Sequence, residues 1–152
     1  MFKTPIKRLY IGLAIAMLMG CTDTGSVNNA LLHAGYADGF YKAKNYTKAI
    51  EACAQAITYM EQGVSTSLNL SFGSKTKDAV LCLKAFCHTL SADSYSYLDA
   101  RDKAVEQLIM ANVEWEQFLK HNPDQLKMVD DKGDSGVSVR DVFKKLDVTP
   151  QF

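Results

Sequence analysis

The chain has 152 residues, 17 basic against 17 acidic side chains, and 47% hydrophobic residues. That is one domain's length with enough apolar content for a core, which excludes a disordered polyampholyte. The absence of a basic excess excludes the electrostatic footprint of a nucleic-acid-binding protein.

The chain starts with three cations, Lys3, Lys7 and Arg8, followed by an apolar run from Leu9 to Met19. Such a run is too short to span a bilayer as an ordinary helix. It ends in Leu18-Met19-Gly20-Cys21, which resembles the bacterial lipoprotein signal. The resemblance implies cleavage before Cys21 and acylation of its thiol. Residues 1–20 are then a signal peptide and 21–29 a lipidated cysteine with a polar tether. Several acyl chains hold a protein on a membrane far more firmly than one. Thr22 follows the cysteine, which by the same resemblance favours the outer membrane over the inner, with the domain facing the periplasm. Without the three cations of the signal, 14 basic residues face 17 acidic ones, a net charge of −3.

From residue 30 onwards the sequence echoes itself at a spacing of 55. His33 pairs with His88, Ala37 with Ala92, Phe40 with Tyr95, Lys48 with Lys103, Ala49 with Ala104, Glu51 with Glu106 and Ala56 with Ala111. Self-similarity at a fixed period indicates a repeat architecture. In the first copy, His33, Tyr36, Ala37 and Phe40 fall on one helical face. Lys44-Asn45 breaks the pattern, and Asn suits the left-handed conformation of a tight turn. Tyr46, Ala49, Ile50, Cys53, Ala56, Ile57 and Met60 resume it, up to Gly63. Two helices with so short a connection must pack on each other.

Phe40, Tyr46, Ala49 and Ala56 stand where the tetratricopeptide repeat has its aromatic, Tyr and Ala signature positions, and the pattern resembles that family. Ala37 replaces the usual glycine, His33 the usual Trp, Tyr36 the usual Leu and Cys53 the usual Phe. In the second copy Ser91 stands where Leu is common.

Val64 to Thr76 is Ser-rich and shows no helical period; Leu68, Leu70 and Phe72 alternate with polar residues. It reads as a loop over the end of the helix pair or as an edge strand, and the loop is the better reading because exposed apolar edges are avoided. Helical periodicity returns near Lys77 and runs through Val80, Leu83, Ala85 and Phe86 into the second copy, which turns at 98–102. It ends at His121-Asn122-Pro123, since the residue before proline disfavours helix. Asp130, Asp131 and Asp134 lack the alternation and glycine placement of a calcium loop. Ser138 is placed to cap a last helix over 138–146, with Val139, Val142, Phe143 and Leu146 on one face.

Three cysteines remain beyond Cys21. In an oxidising compartment Cys53 pairs more readily with Cys82 or Cys87 than those two pair with each other, because five residues on one helix point them apart. The alternative is that all three are small core residues. Cys82-Leu-Lys-Ala-Phe-Cys87-His88 also resembles a long-spaced c-type haem attachment, with both thiols on the vinyl groups and His88 on iron.

The expected fold is all-α: tetratricopeptide-like hairpins at 30–63 and 77–121, an insert at 64–76 and a C-terminal capping helix. No catalytic residue, metal ligand set or cofactor is expected. Glu114, Glu116 and Asp99 read as solvated surface. By resemblance to the family, the first helix of each pair lines a face for a protein or peptide partner. That face takes Leu31, Ala34, Asp38, Tyr41 and Lys42 from one copy and Phe86, Thr89, Asp93, Ser96 and Tyr97 from the other. The expected role is a periplasmic adaptor of an envelope complex such as a pilus, secretion or cell-wall machine. A haem lipoprotein and a self-associating structural lipoprotein, a homodimer for instance, are the alternatives.

Overall fold

A computed structural model describes residues 24–66, 74–132 and 136–152. Cys21, the signal segment and the apolar alternation at Leu68, Leu70 and Phe72 lie outside them. The described residues are all-helical, with no strand: α1 (Thr24–Lys42), α2 (Tyr46–Thr66), α3 (Ser74–Tyr97), α4 (Arg101–His121), a 3-10 turn (Pro123–Gln125), α5 (Lys127–Asp130) and α6 (Val139–Leu146).

α1 and α2 pack along a seam of small residues. Ala30, Ala34 and Ala37 from α1 meet Ala52, Cys53, Ala56 and Met60 from α2, all buried in one cluster. Small side chains along an i, i+4, i+7 row let two helix backbones approach closely, so the seam fits the pair together. The turn between them is a Schellman motif. Asn45 N–H donates to the Phe40 carbonyl at 2.8 Å and Lys44 N–H to that of Tyr41 at 2.9 Å, satisfying carbonyls that a helix end orphans. The left-handed residue is Lys44, at φ 59°, and not Asn45 as the residue types suggest. Asn45 instead receives the Lys48 N–H on its side-chain oxygen, at 3.4 Å, at the start of α2.

The same turn recurs 55 residues later. Asp99 has φ 57°, and Ala100 N–H donates to the Tyr95 carbonyl at 3.0 Å. Lys103 lies over the Tyr95 ring at 5.8 Å, as Lys48 lies over Phe40 at 5.6 Å. Ala37, Ala49 and Ala56 are fully buried, and so are Ala92, Ala104 and Ala111.

Three helix boundaries differ from the pattern. α1 begins at Thr24, inside the stretch expected to be a tether. α2 runs three residues past Gly63, to Thr66. α3 starts at Ser74. No proline stops any of these runs. Extending a packed helix by a residue costs far less than starting one, so weak formers at the ends are carried along.

α3 is the central helix, packed against both α2 and α4. Leu83 and Cys87 join the first cluster. Ala85 and Ala92 join a second one with Leu108, Trp115 and Phe118 of α4. The indole N–H of Trp115 donates to Thr89 Oγ1 at 3.1 Å, and that hydroxyl donates to the Ala85 carbonyl at 2.7 Å. A buried Trp and a buried Thr are thereby satisfied together. α6 covers the far side of this cluster with Val139, Val142, Phe143 and Leu146. A reciprocal capping box starts α6: Asp141 N–H donates to Ser138 Oγ at 3.1 Å, and Ser138 N–H to Asp141 Oδ2 at 3.0 Å. Arg101 ties down its end through the Leu146 carbonyl at 3.1 Å, and Gln151 N–H reaches Asn112 Oδ1 at 2.9 Å.

Candidate functional site

The ten residues expected on the partner face divide into two groups. Leu31, Tyr41, Phe86 and Ser96 are partly open, and Lys42 and Tyr97 are exposed. Ala34, Asp38, Thr89 and Asp93 are buried within the chain, so their side chains are already committed. Thr89 holds Trp115, as described. Asp38 takes the Lys42 ammonium at 2.9 Å, one turn along α1. The contact surface that the family pattern implies is therefore narrower here than its ten positions.

Asp93 organises the closed part of that face. Its side chain is 3% exposed and accepts the Lys145 ammonium at 2.9 Å. It also accepts the Tyr41 hydroxyl and, at 3.4 Å, the Ser96 hydroxyl. Burial first, and the bond to Asp93 second, push the Tyr41 phenol well above its ordinary range, so it stays a donor at any physiological pH. Aromatic rings complete the cluster. Tyr97 stacks on Tyr46 at 4.5 Å between centroids, Tyr41 meets Tyr46 edge-on at 5.8 Å, and the Lys145 ammonium sits 3.7 Å from the Tyr97 centroid. Residues of α1, α3 and α6 thus meet at one carboxylate, and Tyr46 of α2 packs against the rings beside it. Lys145 was not legible as part of this face, because 52 residues separate it from Asp93 and no local spacing links them.

A second feature lies on the other side of α3. A cavity of about 220 Å³ is walled by Ile50, Ala54 and Ile57 of α2 and floored by His88, Ser91 and Tyr95, with Gln107 opposite. His88 Nδ1 lies 2.8 Å from Gln107 Oε1, within hydrogen-bond distance. His88 Nε2 is 3.7 Å from Glu114. Lys84 bridges Glu114 at 3.3 Å and Glu61 at 3.6 Å. Glu114 is therefore no solvated surface acid: its side chain is 12% exposed, and its Oε2 is buried without a hydrogen-bond partner. Burial raises its carboxyl above the usual range, against the pull of His88 and Lys84. Its neighbour on α4, Glu116, is exposed, as is Asp99 in the turn.

The haem reading needs Cys82, Cys87 and His88 to face one group. They diverge. Cys82 belongs to the cluster with Leu108 and Trp115, and Cys87 to the cluster with Cys53 and Met60. His88 is held by its hydrogen bond with Gln107. The residues do not fit a covalently held haem. Among the described residues, no three His, Cys, Asp or Glu side chains converge as a metal site. No described helix is long and apolar enough to cross a membrane.

No family model, curated protein or solved structure matches the chain.

Proposed function

We propose that the chain is a tetratricopeptide-like adaptor, anchored by lipid at Cys21 and holding a protein partner of an envelope complex. The observation that carries the repeat reading is the recurrence at 55 residues. Two left-handed turn residues, two lysine–aromatic contacts and three pairs of fully buried alanines fall at the same spacing. In a repeat array each unit is one helix pair, and the first helices of successive pairs line a common face. The open residues there are Leu31, Tyr41, Lys42, Phe86, Ser96 and Tyr97. Aromatics supply contact area and the lysine sets orientation.

The test is capture of a crosslinked partner from native membranes by the wild type and by Lys42→Glu/Tyr97→Ala. Loss of the partner at a temperature well below the melting point of the variant supports this face. Undiminished capture by the variant contradicts it. The anchor is tested separately: a palmitate analogue should label the wild type and fail to label Cys21→Ala.

One observation favours self-association as a second reading. Ile109, Met110 and Val113 on α4 are 55%, 42% and 48% exposed. The positions 55 residues earlier are Ala54, Gln55 and Thr58, small or polar. Light scattering of wild type and Ile109→Ser/Val113→Ser distinguishes a dimer held by this stripe from a monomer.

A further inference from the structure

Cys53 lies on α2 and Cys87 on α3, both fully buried in the cluster that joins the two helix pairs. Both are free thiols in the structure, and the shared cluster places them between the same two packed helices. Two cysteines buried in one cluster on directly packed helices have the placement from which a disulfide can form. Cys82 does not share it. It is five residues before Cys87 on the same helix, about 140° further round the helix axis. It sits in the other cluster, with Leu108 and Trp115.

We propose that Cys53 and Cys87 form a disulfide that staples the first helix pair to the second, with Cys82 left as a thiol. The donor is a disulfide, either a thiol–disulfide oxidoreductase or oxidised glutathione. One cysteine thiolate attacks a donor sulfur and displaces the other donor sulfur as a thiolate. The second cysteine thiolate then attacks the mixed disulfide at the protein sulfur. The Cys53–Cys87 bond forms, the donor leaves reduced, as the oxidoreductase dithiol or as two glutathione thiols, and two protons and two electrons have passed from the chain to the donor. Both thiols are sealed from solvent in the folded chain. Interaction with Cys53 first, and burial second, also push the Cys87 thiol well above its ordinary range. Exchange therefore takes place while the chain is folding, and once formed the bond is shielded from soluble reductants. The proposal rests on the export reading only for where the chain meets its donor.

The crosslink closes 34 residues of chain and restricts the unfolded state accordingly. The experiment refolds the full chain in a glutathione buffer of oxidising poise, alkylates it under denaturing conditions and maps the peptides. The expected result is a linked peptide carrying Cys53 and Cys87 with Cys82 alkylated, and a melting point roughly 10 °C above that of the reduced chain. Cys82→Ser should keep both. Cys53→Ala/Cys87→Ala should still fold and lose the difference between oxidised and reduced samples. Alkylation at both Cys53 and Cys87 after refolding, or a linked peptide carrying Cys82, overturns the proposal. A second arm quenches intact cells with acid before alkylation. A chain that links on refolding yet is reduced in cells supports the pair and contradicts the export reading.

Discussion

The two helix pairs share a turn and an alanine seam, yet their first helices live in different surroundings. α3 lies between α2 and α4, whereas α1 packs chiefly on α2 and meets α3 over a smaller area. Positions 55 residues apart show the consequence. Leu32 is 50% exposed where Cys87 is fully buried; Tyr36 is 50% exposed where Ser91 is 3% exposed. Gly39 is exposed where Ser94 is sealed. Place in the fold, and not the 55-residue pattern, decides what each residue must be. Polar and small residues on α3 sit where a neighbour approaches; large apolar ones on α1 sit where none does. The second helices differ in another way. Met60 of α2 corresponds to Trp115 of α4, and the larger ring reaches the C-terminal segment, at 6.4 Å from Phe152.

That difference sets the largest expected effect. Trp115→Ala leaves a cavity against α6 and removes one of the two hydrogen bonds of Thr89, and should cost about 3–5 kcal/mol in a denaturant melt. Met60→Ala should cost less, toward about 2 kcal/mol, since a flexible side chain leaves a site that collapses more easily. Equal losses would mean that the two pairs are packed alike after all.

The docking of α6 comes next. Lys145→Met leaves the buried Asp93 with hydroxyl donors only and should cost about 1–3 kcal/mol, reduced from the value for a fully buried pair because Lys145 is 39% exposed. A cycle with Asp93→Asn isolates the pair. Coupling below roughly 0.3 kcal/mol would place Lys145 among inert surface ions.

Glu114 gives a pH signature with no counterpart in the first pair, where Tyr59 holds the matching position. Its folded-state carboxyl lies above the ordinary value of 4.5, so the folded chain binds that proton more tightly. This contribution is complete below the ordinary value and is lost as pH rises through the folded one. Asp141 has the opposite sign: its capping bonds hold it below 3.8, and its contribution is lost as pH falls through that lowered value. Melts from acid to neutral pH should therefore flatten on the mildly acidic side in Glu114→Gln. An unchanged profile would show that Glu114 titrates as a surface acid.

Smaller effects test single positions. Ser94 Oγ is buried with no hydrogen-bond partner, and Ser94→Ala should gain about 1 kcal/mol. Lys44→Gly should gain about 0.5–1 kcal/mol, because glycine takes a left-handed turn without the strain of a side chain. Asp99→Gly should gain less, since Asp tolerates that conformation better than Lys.

The helix class and the 55-residue spacing were legible because alanine seams and turn signals are local in sequence. Ser138 announced α6, since a capping box needs only neighbours. The left-handed residue was misplaced by one, because conformational tolerance favours Asn45 whereas the hydrogen bonding of the turn puts the strain on Lys44. The closed half of the candidate face was not legible. Asp93 meets Tyr41 and Lys145 only after three elements are assembled, and Glu114 is mostly covered only because α3 lies under α4. Distance along the chain hides such contacts from any reading by period or motif.

The most direct test is a proton–proton contact map of the labelled chain in solution. If two like helix pairs are present, contacts in the first recur 55 residues on. His33 with Tyr59 should be matched by His88 with Glu114, and Phe40 with Lys48 by Tyr95 with Lys103. A second set that is missing, or displaced by a helical turn, would contradict the repeat and the adaptor reading built on it.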